Sequence, residues 1–184
     1  MPLTYYETTI AQNDVPNSLG PTFSYGFPAI PGNLASGTTA LFTGGVVHLM
    51  PFFVQSRVVA QQLWWINGTG PMAGSIHMGI YDDTYTRLVT SGAVAVSGTN
   101  VVQSADIADT TLERGTYYLA WMIYLGAGTN RHGAVTVSPT LWARAYGCVQ
   151  VTGQTSLPAS FVRSGNAYNQ GNMPICGLAY RSFV

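Results

Sequence analysis

Three histidines, seven acidic side chains and two cysteines are the groups in this 184-residue chain that could ligate a metal or move a proton. His48, His77 and His132 are scattered, and none has a second His or Cys at metal-ligand spacing. The acids are Glu7, Asp14, Asp82, Asp83, Asp106, Asp109 and Glu113. Glycoside hydrolysis would need two of them across a cleft, one with its pKa raised by burial. Asp82 with Asp106 or Asp109 is the pair to weigh. Each falls at a strand end or turn, where Asp bonds its own backbone, so turn duty is the reading adopted. Asp82 and Asp83 supply hard oxygens of the kind calcium takes, without the alternating acidic loop of a calcium site. No Gly-x-Ser-x-Gly elbow and no Walker-type phosphate loop occurs. Asn67-Gly68-Thr69 fits a glycosylation acceptor, but Asn-Gly is first a tight-turn signal. The chain is therefore read as not an enzyme, with no catalytic, metal or cofactor-binding residues.

The surface chemistry is unusual. Charged residues make up 8% of the chain, against about 25% in a typical globular domain. The formal net charge is zero, and all seven cations are arginine: Arg57, Arg87, Arg114, Arg131, Arg144, Arg163 and Arg181. Near-zero charge favours association, and the planar guanidinium suits interfacial pairing. A surface of Ser, Thr, Asn, Gln, Gly and Tyr is cheap to dehydrate, because no full charge has to leave water. No basic stripe points to nucleic acid. No run approaches the ~18 apolar residues of a membrane helix. The first ten residues lack the basic start and apolar run of a signal peptide, so synthesis in the cytoplasm is expected. Cys148 and Cys176 are expected as buried free thiols, with a bridge left open because both lie in strand-like segments.

Residues 1–40 are punctuated by Pro16, Gly20, Pro21, Pro28, Pro31 and Gly32, which exclude a helix or a long strand. They also carry Tyr5, Tyr6, Phe23, Tyr25 and Phe27, more aromatic content than a disordered tail holds. The expectation is an extended arm that lies on a surface, its own or a neighbour's. From residue 41 to 184 the chain reads as about nine strands separated by turn signals such as Asn67-Gly68, Asp82-Asp83 and Ser97-Gly98. Residues 74–81 alternate, with Ile76, Met78 and Ile80 on one face. Ser75, His77 and Gly79 form a polar face, where His77 is expected to make a cross-strand hydrogen bond. Residues 116–124 are apolar on both faces, as in a central strand covered twice. Residues 106–114 suit one helical turn. Pro51 implies an edge or a bulge. The fold class expected is all-β: a single antiparallel β-sandwich, jelly-roll-like, with an extended N-terminal arm.

Residues 74–124 contain GIYD at Gly79, Ile80, Tyr81 and Asp82, then Ser91-Gly92. They continue with LERGTYYLA, in which Leu112, Gly115, Thr116, Tyr117, Tyr118 and Leu119 match a second strand pattern. This arrangement resembles a recurrent module of bacteriophage virion surface proteins, with Trp64 and Trp65 suiting its preceding strand. In such a module Gly115 ends a turn at positive φ and Leu112 closes the core. Related proteins serve as capsid decoration (cement) proteins or tail-fibre heads. The resemblance implies a structural virion protein on the capsid surface, bound to the major capsid protein and to copies of itself as a homotrimer. It implies no catalytic residue. The alternative it leaves is a tail-fibre or receptor-binding sandwich with a carbohydrate ligand, and similar strands do occur in carbohydrate-binding sandwiches. The partner-binding candidates are the arm aromatics Tyr5, Tyr6, Phe23, Tyr25 and Phe27, with Trp64 and Trp142. Trp64 and Trp65 are adjacent in a strand, so one points inward and one outward.

Overall fold

The computed structural model describes residues 23–27, 38–69, 73–124, 131–136, 147–162 and 172–182. Every regular element among them is a strand. β1 (Phe23–Phe27) and β2 (Thr38–Leu41) come first, then β3 (Val47–Val54) and β4 (Val58–Ile66). β5 (Ser75–Tyr81), β6 (Arg87–Ala95), β7 (Val102–Leu112) and β8 (Gly115–Tyr124) form the middle of the chain. β9 (Arg131–Thr136), β10 (Val149–Val151), β11 (Asn172–Pro174) and β12 (Cys176–Ser182) complete the order.

The strands form a four-stranded sheet, β1-β12-β4-β7, a five-stranded sheet, β10-β3-β8-β5-β6, and a small sheet, β11-β9-β2. All the pairings are antiparallel. Without β2, β9, β10 and β11, eight strands remain. Numbered afresh along the chain, they run first-eighth-third-sixth in one sheet and second-seventh-fourth-fifth in the other. That order is the jelly roll, two Greek keys wound together. The antiparallel β-sandwich expected from strand spacing is the fold observed.

Alternation explains which side chains fill the sandwich. β5 sends Ile76, Met78 and Ile80 inward, and β8 sends Leu119, Trp121 and Ile123 to the same side. From the opposite sheet Leu63 and Trp65 of β4, Leu112 of β7 and Cys176 and Leu178 of β12 meet them. The other face of the five-stranded sheet is buried too. Val47, Leu49, Tyr81, Ala120 and Met122 pack there beneath Leu157 and Phe161. The covering segment is tied down by polar contacts. Tyr81 donates its hydroxyl to the Pro158 carbonyl at 2.7 Å, the Arg87 guanidinium donates to the Leu157 carbonyl, and the Arg87 amide donates to the Ala159 carbonyl at 2.8 Å. β8 is thus covered on both faces along its middle, as its two apolar faces require.

Several expectations are corrected by this geometry. Residues 106–112 are strand, not a helical turn, because β7 runs through Leu112 with a register shift opposite Ala60 and Gln62. The bulge is what breaks the alternation in that segment. The expected polar face of β5 is buried: His77 is only 8% exposed, and a Cβ on Gly79 would stand 2.9 Å from the Val89 carbonyl oxygen. His77 contacts Ser75 Oγ on its own strand at 3.2 Å, in place of a cross-strand bond, and sets its ring edge-on to Tyr124. Gly115 does not take positive φ; it opens β8. Residues 23–27 and 38–41, at and within the end of the expected arm, are sheet strands, β1 against β12 and β2 against β9. Pro51 lies beyond the β3 residues that pair with β10 and stands opposite Tyr118 of β8, with Gly147 beside its ring.

Candidate interaction surface

The chemistry-bearing residues are placed in the interior. His48 on β3 and His132 on β9 both meet Trp121, with ring centroids 5.6 and 5.3 Å away in edge-to-face contact, and Phe42 touches all three. Gln150 on β10 lies 3.4 Å from His48 Nδ1. Burial lowers the His48 pKa to about 3. It lowers that of His132 to about 4, against the opposing pull of the Ile66 carbonyl. Both imidazoles are therefore neutral parts of an aromatic core. Cys148 and Cys176 are free and buried, and burial pushes the Cys148 thiol up to about 12 and the Cys176 thiol upward as well. Thiols so shifted are not nucleophiles at neutral pH. Among the described residues no three His, Cys, Asp or Glu side chains converge as a metal set.

The acids serve turns and cross-strand contacts. Asp82 Oδ1 accepts from the Thr84 amide at 2.9 Å, the Thr84 hydroxyl at 2.7 Å and the Thr86 amide at 2.9 Å. Partial burial raises the Asp82 pKa, but these donors outweigh it and the net shift is downward. Asp106 and Asp109 accept from the side-chain amides of Gln62 and Gln61 across the β4–β7 pair, at 2.7 and 3.0 Å. Glu113 pairs with Arg57 at 3.2 Å, both exposed, an arrangement worth little in water.

The partner-binding candidates separate. Tyr5, Tyr6 and Trp142 lie outside the described residues. Phe23, Tyr25 and Phe27 fall on β1, with Cα partners Tyr180, Leu178 and Cys176 on β12. Trp64 does point away from the core that holds Trp65, as neighbours in a strand must, yet it is only 8% exposed. It is therefore not an open stacking platform. Asn67, expected in a turn, is instead a buried hub: it accepts from Trp65 Nε1 at 2.9 Å and donates to the Ser97 carbonyl and Gln103 Oε1 at 2.7 and 2.8 Å.

A flank along the β6 and β7 edges is uncharged. Residues 88–105, from the start of β6 into β7, hold no ionisable side chain. Leu88, Val101 and Val102 are exposed there, together with Ala93 and Ala95. Val89, Val94, Val96, Ala105 and Ile107 lie half-buried behind them against the core. Gln103 staples the two edge strands, donating to the Ala95 carbonyl at 2.7 Å and accepting from the Ser97 amide at 3.0 Å. The result is a dehydratable flank held in fixed shape. In the sequence it is one of several long runs without Asp, Glu, Lys or Arg, beside residues 15–56 and 58–81, so charge alone does not single it out. No protein-family model matches the chain, and no curated protein matches its sequence.

Proposed function

We propose that the chain is a structural virion protein of bacteriophage type that decorates and stabilises a capsid lattice, touching the major capsid protein and copies of itself. The observation that carries this reading is the uncharged flank of residues 88–105 with Leu88, Val101 and Val102 exposed. Charge is depleted at the centre of protein interfaces, and exposed apolar side chains suit such a surface. The jelly roll supports the reading by analogy, since capsid domains use it, though lectin domains do as well and fold alone does not assign function. The GIYD and GTYYLA segments also pair as direct neighbours, Gly79 with Ala120, Ile80 with Leu119 and Tyr81 with Tyr118, as a single module needs.

The mechanism is additive burial. Each subunit contributes a modest contact, and contacts linked through a lattice gain from high effective concentration. Low surface charge keeps the dehydration cost of each contact small. The test is co-sedimentation of the purified chain with empty expanded phage heads, run beside a glycan array. Saturable binding to heads and none to sugars is the expected result. Saturable sugar binding without head binding would replace this reading with the receptor-binding one.

A further inference from the structure

We infer that Asn67 is a deamidation site gated by the fold: its side-chain amide is locked in the native chain, converts to the acid once the chain unfolds, and the converted chain cannot rebuild the native structure. The inference stands apart from the assembly reading above. Asn67-Gly68 is the one Asn-Gly step in the sequence. Glycine has no Cβ, so nothing shields the Gly68 nitrogen from the side chain before it. In the reaction, a Gly68 amide that has given its proton to solvent attacks Asn67 Cγ. The N–Cγ bond forms, the Cγ–Nδ2 bond breaks, and Nδ2 takes up a proton and leaves as ammonia. Water then opens the cyclic imide at one of its two carbonyls, giving Asp or its backbone-extended isomer at position 67. Water is the only co-reactant.

The fold blocks each requirement. Asn67 is 0% exposed and Gly68 is buried beside it, so neither base nor water reaches the reacting atoms. The carboxamide is held through every hydrogen it can give: Nδ2 donates to the Ser97 carbonyl and to Gln103 Oε1, while Oδ1 accepts from Trp65 Nε1. Swinging Cγ onto the Gly68 nitrogen would break all three bonds. The backbone is pinned on both sides, since the Asn67 amide donates to the Val101 carbonyl at 2.9 Å and the Gly68 carbonyl accepts from the Asn100 amide at 3.0 Å. Asn67 also bridges to His132. Gln103 is itself fixed by the Ala95 carbonyl and the Ser97 amide, so the latch joins the end of β4 to β6 and β7. The product does not fit this latch. A carboxylate has no hydrogen to give, so an acid at position 67 would face two acceptors, the Ser97 carbonyl and Gln103 Oε1, with its charge buried and unpaired. The isomer lengthens the backbone between two pinned residues. Unfolding thus becomes one-way as conversion proceeds, the chemical route to irreversibility.

The test is peptide mapping of the full chain after incubation at mildly alkaline pH, in buffer and in urea, with reductant present. The tryptic peptide of residues 58–87 contains no other asparagine, so its mass and elution report Asn67 alone. Conversion should be roughly a hundredfold or more slower in buffer, because a stable domain is rarely unfolded. In urea Gly68→Ala should slow it, by placing a methyl group beside the attacking nitrogen, and this arm needs no folded variant. The fraction of wild-type chain that refolds on dilution, read by circular dichroism, should fall in step with conversion. Gln103→Ala removes one acceptor of Nδ2 without touching Asn67 or Gly68, and should speed conversion in buffer by about tenfold, the worth of one hydrogen bond in an opening equilibrium. If that variant does not fold, the wild-type comparison between buffer and urea decides. Equal rates in buffer and urea, a rate in folded Gln103→Ala no faster than wild type, or a fully converted chain that refolds with the native spectrum would each overturn the inference.

Discussion

Mild acid should destabilise this protein, and the expected size of the effect follows from two imidazoles. His48 and His132 are fully buried and titrate near 3 and 4 in the folded chain, against 6.5 when solvated. A folded pKa below the unfolded value means that the unfolded chain takes up protons first as pH falls. The neutral histidines thus contribute their full stability above about pH 6.5, and lose it progressively as pH drops towards 4 and then 3. Each pH unit in that window costs about 1.4 kcal/mol per histidine by linkage. Between pH 7 and pH 5 the two together cost about 4 kcal/mol, a large share of the 5–15 kcal/mol that holds a typical domain. For a chain of this length that is a fall in Tm of roughly 8–16 °C. Carboxylates such as Asp82, whose pKa is lowered from 3.8, act in a lower window. Scanning calorimetry at half-unit intervals between pH 7 and pH 5 measures the slope, and His48→Leu should flatten it by about half. A Tm unchanged across that range, or a slope unaltered in the variant, would refute the reasoning that both imidazoles are buried neutral.

Trp121→Ala should cost ~3–5 kcal/mol in urea unfolding, the range for truncating a buried aromatic, since Trp121 is wholly buried between the sheets; a near-neutral change would mean the β8 side chains face the other way. Gly79→Ala should cost roughly 1–3 kcal/mol as an overpacking change, because its Cβ would meet the Val89 carbonyl oxygen at 2.9 Å and Leu157 Cδ1 at 3.1 Å; the urea midpoint reads this directly. Neither Cys148 nor Cys176 should react with a thiol reagent in the native protein, and both should react in denaturant, as follows from their burial and raised pKa values. Removing residues 1–22 should leave a folded sandwich that attaches to heads more weakly. Removing residues 1–30 also takes away β1 and bares the β12 edge, so the longer deletion should lower Tm.

The fold was legible where the pattern is local. Ile76, Met78 and Ile80 alternate cleanly, and the two apolar faces of residues 116–124 require a covered central strand, which β8 is. What misled was burial supplied from far along the chain. His77 and Gly79 look like one wet face of β5, but Leu157 and Phe161 pack on that sheet face and Leu157 closes over Gly79. No periodicity within residues 74–81 encodes that cover. Asn67 reads as a turn residue by its neighbour Gly68, yet its side chain is claimed by Trp65 and Gln103, which only the β4–β7 pairing brings together. The β7 bulge likewise disguised a strand as a helical turn. For the candidate surface, Trp64 was found by adjacency to Trp65 but its burial was not, because strand alternation gives direction and not cover. The uncharged flank was present in the sequence as a run, and only the sheet order shows that it lies along the β6 and β7 edges.

Particles banded from a lysate of cells that make this chain, then quantified by mass spectrometry for the chain against the major shell protein, test the central claim most directly. A fixed ratio of chain to shell protein, retained through repeated banding, is the predicted result. Recovery of the chain wholly in the soluble fraction, with none on the particles, would contradict it.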